Sequence, residues 1–299
     1  MISILIPTYN YSVVKLVKQL HQQAIQENLV FEIIVLDDAS TDDEIIKENL
    51  LIEKINFCRY QKLKKNIGRS NIRNLLSEKA QYNWLLFLDS DTEPTDSMFL
   101  KKYIEATHDK YKIVFGGIHY KEKYSENYNL RFRYGIKRES ISLKERQKNP
   151  FQSFITMAFL IKKEVFKTVT FSDKLLQYGY EDTVFALQLK KNNFQILHIN
   201  NTITHLNLDT NHEFIEKTKT SLKSLIRFNS AKEIGNEDVK ILKLSHSLKK
   251  IKILWLVILF YKLFRKGLII QLESKNPSLF CFDLFRLGYL CSLLQEKNA

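Results

Sequence analysis

The sequence predicts an α/β protein: a mostly parallel, doubly wound, Rossmann-like sheet flanked by helices, with a helical extension at its C-terminal end. Three observations predict it. Runs made mostly of large apolar residues, interrupted only at Ser3 and Glu32, recur at residues 2–6, 31–36 and 84–88, the habit of strands buried on both faces. Stretches with apolar residues at helical spacing lie between them. The runs also end in polar or acidic clusters, which an open α/β sheet gathers along the carboxyl edge where ligands bind.

The elements follow in order. Residues 2–6 form a first strand that turns at Pro7-Thr8-Tyr9-Asn10. Val13, Val14, Leu16, Val17, Leu20 and Ala24 recur at helical spacing and give a covering helix. The strand at 31–36 ends in Asp37-Asp38, after which Ser40 to Glu44 supply a helix cap and an acidic first turn. A third strand is expected over 55–60, and Asn66-Ile67-Gly68-Arg69 opens a helix carrying Ile72, Leu75 and Leu76. The strand at 84–88 follows, then a helix near 98–107 and a strand at 112–115 stopped by Gly116-Gly117. Residues 121–150 have little periodicity and many Lys and Arg; they read as a long loop or loose helices. Strands are expected at 154–161 and 194–199, with a short helix at 163–168 and a longer one led by Gly179-Tyr180-Glu181-Asp182. From residue 211 the pattern is helical. A boundary near 230 divides a sheet domain, 1–230, from a basic, apolar helical extension, 231–299.

A net charge of +13, from 46 Lys and Arg against 33 Asp and Glu, points to an anionic partner. The cationic excess is mixed with apolar residues in the tail, and no nucleic-acid module is recognisable, which argues against nucleic acid. Three scattered cysteines suggest reduced thiols. Met1 leads straight into the first strand without a signal peptide, and the longest apolar run, residues 253–261, falls short of a bilayer span. The expectation is a cytoplasmic protein.

Asp89 and Asp91, one residue apart at the end of an apolar strand, suit a hard divalent cation that prefers oxygen ligands and keeps positions open for phosphate. They also suit a turn with an Asp helix cap. Glu181-Asp182 offers a carboxylate to deprotonate an attacking hydroxyl, or an acidic first helical turn favoured by the helix dipole. A metal on a leaving diphosphate together with one carboxylate base suits group transfer from a diphosphate.

These residues, in this order, resemble the GT-A-fold glycosyltransferases of family 2, inverting enzymes that use nucleotide-diphospho-sugars. Ser3-Ile4-Leu5-Ile6-Pro7-Thr8-Tyr9-Asn10 is similar to the family's opening strand, Val35 to Asp42 to its second motif, and Asn66-x-Gly68 with Arg73-Asn74 to its third. Leu88-Asp89-Ser90-Asp91 resembles its metal motif and Gly179-Tyr180-Glu181-Asp182 its acceptor-side motif. The resemblance implies that Pro7, Thr8, Gly68, Arg73, Asp89 and Ser90 line the nucleotide site, with Asp38 accepting from the base, uracil by preference. It implies Mg²⁺ or Mn²⁺ on Asp91, with Asp89 and His205 as further ligands, and Asp182 as general base supported by Glu181. The donor implied is a UDP-sugar and the acceptor a glycan or lipid-linked glycan in polysaccharide biosynthesis. A non-catalytic nucleotide-sugar or glycan-binding relative is the alternative. The Gln-x-x-Arg-Trp motif of processive members is missing, which favours addition of single sugars.

The tail keeps two readings. Between Lys243 and Lys266 there are seven Lys or Arg and no Asp or Glu, around the apolar run. This is either a peripheral anchor on an anionic membrane surface, at the inner face, or a helix packed on protein, within the chain or in a homodimer.

Overall fold

The computed structural model describes residues 1–121, 128–172 and 178–298. The chain divides into two compact units. The first comprises Met1–Lys121, Glu139–Leu176 and Glu181–Asn207, and the second Glu122–Arg138, Gln177–Tyr180 and Leu208–Ala299.

The first unit is built on β1 (Ile2–Thr8), β2 (Phe31–Asp37), β3 (Cys58–Lys62) and β4 (Trp84–Leu88), all parallel. Helices α1 (Val14–Gln26), α2 (Asp43–Asn49) and α3 (Arg69–Lys79) alternate with them. Every residue of β2 is buried, including Glu32, whose carboxylate accepts from Ser3 Oγ at 2.6 Å and pairs with Arg59. After β4 come β5 (Thr92–Pro94), α4 (Phe99–Ala106), β6 (Ile113–Phe115) and β7 (Ile118–Tyr120). The remaining elements of this unit are α6 (Leu143–Lys148), β8 (Ala158–Lys162), α7 (Lys163–Thr168), α8 (Glu181–Lys191), β9 (Leu197–His198) and β10 (Ile203–His205). The main sheet runs β3-β2-β1-β4-β8-β6-β9, and a second, three-stranded sheet runs β5-β10-β7.

The mostly parallel, doubly wound sheet is therefore present, with one departure. Strand β8 is antiparallel to both β4 and β6, pairing Leu88 with Ala158 and Phe115 with Phe159. Periodicity does not report strand direction, because a strand buried on both faces reads the same either way. Sequence placed the strand over 154–161; pairing starts only at Ala158. The strands at β5, β7 and β10 have three residues each, too short to leave a period. Of the stretch at 121–150, α5 (Asn129–Arg138) and α6 are regular helices, and residues 122–127 lie outside the described residues.

A phenylalanine cluster fills the core between β4, β8 and α8: Phe87 stacks on Phe159 at 5.0 Å, and Phe171 on Phe185 at 4.4 Å. The ends of the two sheets are pinned by Arg146, which is 1% exposed. It donates to the carbonyls of Phe115, Gly116, Ile199 and Ile141 and to Nδ1 of His198. Gly116 is required there, because a Cβ would lie 1.9 Å from the carbonyl oxygen of Asn201.

In the second unit, α9 (Asn211–Ser230), α10 (Lys240–Lys250), α11 (Leu254–Glu273) and α12 (Leu279–Asn298) are joined by α5. Helix α9 starts at a capping box in which Thr210 and Glu213 each bind the other's backbone. Leu130, Phe214, Ile215, Tyr261, Leu268, Phe282 and Phe285 form the core of this unit. The compact unit thus takes in α9, upstream of the boundary read from sequence at 230. The reason is that the apolar face of α9 buries against α11 and α12. Cys58, Cys281 and Cys291 are all free thiols.

Candidate active site

The carboxyl ends of β1, β2 and β4 lie on one edge, since parallel pairing sets Thr8 beside Asp37 and Leu5 beside Phe87. The loops after β1 and β2 are latched together. The side-chain oxygen of Asn10 accepts from the backbone of Thr41 at 2.8 Å, and Ser40 Oγ accepts from the backbone of Asn10 at 2.8 Å. Asn10 and Ala39 both adopt positive φ, a conformation the latch stabilises. The hydroxyl of Thr8 donates to the carbonyl of Tyr11, so it is engaged locally.

The two acids after β2 divide their work. Asp37 is fully buried and accepts from Tyr60 Oη and from the backbone of Ser40. Asp38 accepts from the backbone N–H groups of Ile67 at 2.7 Å and Gly68 at 2.9 Å. Neither caps α2; Asp42 does, through Glu44 and Ile45. Gly68, at φ 83°, turns the chain into α3 in a conformation that disfavours a side chain.

Arg73, on α3, is 3% exposed and donates to Asp89 Oδ1. Its guanidinium lies 5.3 Å from the ring centre of Phe171, and Asn74 holds the backbone of Phe171 through both its side-chain atoms. Sequence put Arg73 in the nucleotide site; the structure commits its guanidinium to Asp89. Asn74, quoted only as part of a motif, is the clamp for Phe171.

Antiparallel β8 brings Thr156 to the same place. The backbone N–H of Asp89 donates to the carbonyl of Met157, and the Thr156 hydroxyl donates to Asp182 Oδ1. Asp182 lies in the first turn of α8. Burial, and after it the charge of Glu181, pushes its carboxyl up to about 6, against smaller opposing effects of Thr156 and Arg73; Asp89 adds to the rise. Glu181 itself pairs with Arg69 at 3.9 Å.

Asp91 and His205 meet directly. Antiparallel pairing of β10 with β5 sets His205 beside Thr92, the backbone of Leu206 donates to the carbonyl of Asp91, and His205 Nε2 lies 3.3 Å from Asp91 Oδ2. Burial raises the Asp91 carboxyl, but the hydrogen bond and charge of His205 and the charge of Arg69 outweigh it and hold it below the usual range. Ser90 is half-buried between the two acids.

A divalent cation fits this donor set. No group of three or more His, Cys, Asp or Glu among the described residues could cage one. A cation that takes one or two side-chain ligands and completes its shell with substrate phosphate and water needs no such cage. Asp91 and His205 provide such a pair, whereas Asp89 already faces the guanidinium of Arg73. Sequence reasoning missed Thr156, Tyr11 and Arg69. Thr156 left no signal. Tyr11 adjoins the first motif; burial and the charges of Asp91 and Glu93 raise its phenol. Arg69 follows Gly68, and its charge acts on Asp91 while its guanidinium reaches Glu181.

A mostly parallel sheet with acids at its carboxyl edge and helices on its flanks is the GT-A class of fold. Residues 3–170 match the family described as Glycosyl transferase family 2, more than half of the chain, and the protein belongs to that family. The matched span contains Asp38, Arg73, Asp89 and Asp91 and ends before Asp182 and His205. Polypeptide N-acetylgalactosaminyltransferase 8 of Drosophila melanogaster is 28% identical over 220 residues, 67% of this chain and 37% of that protein. The chain spans between 16% and 47% of the length of the curated relatives it matches. Among solved structures, a mannosyltransferase of Pyrobaculum calidifontis in complex with GDP-Man and Mn²⁺ superposes with a TM-score of 0.60. It is 12% identical, over 99% of this chain and 86% of that one. S. aureus TarS 1–349 in complex with UDP-GlcNAc gives 0.53 at 16% identity, over 99% and 92%. At these identities the likeness is one of fold.

Proposed function

We propose that the protein is an inverting, metal-dependent glycosyltransferase that moves a sugar from a UDP-sugar to a hydroxyl of a glycan or lipid-linked glycan. The observation that carries the reading is Asp182: a half-buried carboxyl in the first turn of a helix, held by the Thr156 hydroxyl and pushed up to about 6, which suits a general base working at neutral pH. In-line displacement at the anomeric carbon needs no enzyme nucleophile. The acceptor oxygen attacks, Asp182 takes its proton, and the nucleoside diphosphate leaves with the bonding pair. Thr156 fixes one oxygen of Asp182, and the Arg73–Asp89 pair sets the field around it.

Asp91 and His205 would hold Mn²⁺ or Mg²⁺, which when bound neutralises charge building on the departing diphosphate. Arg69 supplies a fixed positive charge on the same side, within the field of Asp91. Pro7, Thr8, Gly68 and Ser90 shape the nucleotide pocket, and Asp38, braced by Ile67 and Gly68, retains lone pairs for a base N–H. UDP is the nucleotide the motif resemblance implies; TarS 1–349 holds UDP-GlcNAc on this fold, and the Pyrobaculum enzyme, in complex with GDP-Man, makes GDP the competing nucleotide.

The test is thermal stabilisation of the protein by UDP, GDP, CDP and TDP with and without Mn²⁺, then transfer assays on Asp182→Asn. A ligand confined to the folded state raises stability by mass action. The expected result is a Mn²⁺-dependent shift with UDP, and an Asp182→Asn variant that binds UDP but transfers nothing. An active Asp182→Asn enzyme would overturn the base assignment.

A further inference from the structure

Helix α11 buries one stripe and leaves an apolar face uncovered. Ile258, Tyr261, Leu268 and Leu272 turn into the core of the second unit. At about 3.6 residues per turn, Leu256, Leu259, Leu263 and Ile270 fall on the opposite side. Leu263 is 68% exposed and Ile270 71%. Even a Cβ at Gly267, on that same side, would meet nothing within 4 Å. A helix that is apolar all round belongs in a core or against an apolar phase, and this one has a core on one side only.

As far as Lys266 the charges around that face have one sign; Glu273, the last residue of the helix, lies 2.8 Å from His212 Nδ1. Lys262 and Lys266 run along one flank, Lys249, Lys250 and Lys252 precede the helix, and all five are exposed. No acidic residue lies between Lys243 and Lys266. Trp255, 59% exposed, stands near the start of the helix, an indole suited to the water–lipid boundary. Among the described residues no helix is long and apolar enough to cross a membrane.

We propose that this face of α11 lies in the interfacial plane of a bilayer containing anionic lipid, its apolar side chains at the acyl boundary and its lysines among the headgroups. A second copy of the chain is the weaker occupant. A two-fold contact sets the same patch against itself, and here it would bring a lysine-rich flank against itself, with Glu273, already facing His212, the one acid on the helix. An anionic surface accepts both the apolar face and its charged flank.

The experiment is flotation of the full chain with vesicles of phosphatidylcholine alone and of phosphatidylcholine with phosphatidylglycerol, at low and high salt. The readout is lipid binding, so it is independent of sugar transfer. The expected result is co-flotation with the anionic vesicles only, weakened by salt. Lys262→Ala with Lys266→Ala should lower partitioning about 30-fold. Leu263→Glu with Ile270→Glu should abolish it; both side chains point outward, so the melting temperature should hold. In a Trp84→Phe background, emission from Trp255 should move to the blue on adding anionic vesicles. Absence of binding, or equal binding to both vesicle types, would overturn the proposal. So would a concentration-dependent dimer that Leu263→Glu dissolves, since a second copy would then be what covers the face.

Discussion

The guanidinium of Arg73 donates to the carboxylate of Asp89, and the pair is held where its charges reach Asp182. The first acid of the Asp-x-Asp motif is thereby balanced by the protein itself, and Asp91 is the acid facing His205. Asp89→Asn keeps the shape but leaves Arg73 as a buried, uncompensated cation, a loss of about 3–5 kcal/mol of stability. It also removes a negative charge that raises Asp182 while leaving the positive one that lowers it. The expected outcome is a lower melting temperature together with an acid limb of the rate profile displaced to lower pH, both read on one purified variant.

Asp182 gives a pH dependence with a definite sign. Its carboxyl titrates near 6 in the folded protein against an ordinary 3.8, so the folded state binds this proton more tightly than the unfolded chain. Its burial therefore costs stability as pH rises from about 4 to about 6, and the full cost remains above that. Asp182→Asn removes the cost, and at pH 8 it should stabilise the fold by about 2–3 kcal/mol. Transfer by the natural protein should rise through pH 6 and fall about tenfold per pH unit well below it. A denaturant titration of the variant and a rate profile of the parent check the two halves separately.

Much of this was legible from residues alone, for reasons that particular elements show. The strands ending at Thr8, Asp37 and Leu88 are mostly apolar, apart from the paired Ser3 and Glu32, because both sheet faces are covered, and the acids at their ends fall on one edge because the strands are parallel. Strand β8 was legible as a strand but not in its direction, so the position of Thr156 beside Asp182 could not be read. The role of Arg73 was hidden likewise: its ion pair with Asp89 joins residues from different elements, and nothing local separates a buried guanidinium from a solvated one. His205 was named as a metal ligand only through the family resemblance; its pairing beside Thr92 was not legible, because the three residues of β10 carry no period.

The contact of His205 Nε2 with Asp91 Oδ2 at 3.3 Å predicts a metal preference. Carboxylate, phosphate and water suit Mg²⁺, whereas an imidazole in the set favours a transition metal. Stabilisation by UDP should therefore be larger with Mn²⁺ than with Mg²⁺. Asp91→Ala should abolish the metal-dependent part with either ion. His205→Gln, which replaces the nitrogen donor by an amide, should narrow the difference between the two ions. A calorimetric titration of each variant with UDP and each metal reads this directly, and an unchanged Mn²⁺ preference in His205→Gln would remove His205 from the site.

Arg146 makes the last prediction, and it concerns the frame that carries His205. The side chain is buried, no carboxylate among the described residues pairs with it, and its charge is met by four backbone carbonyls and the ring of His198. Burial and the charge of Arg146 push the His198 imidazole down to about 4, so it stays neutral, accepting at Nδ1 and donating from Nε2 to the carbonyl of Pro150. Three of those carbonyls, of Phe115, Gly116 and Ile199, belong to the chain that leaves β6 for β7 and β9 for β10, the two connections that set the small sheet in place. Arg146→Met fills similar space but removes the donor to the carbonyl of Ile199 and leaves that of Gly116 only the backbone N–H of Asn201, at a cost of about 3 kcal/mol. The melting temperature should fall by roughly 6–12 °C. Because β10 delivers His205, the Mn²⁺-dependent gain with UDP should weaken in the same variant under conditions where it is still folded. A variant that loses stability but keeps the full metal response would show that Arg146 supports the sheet without positioning the site.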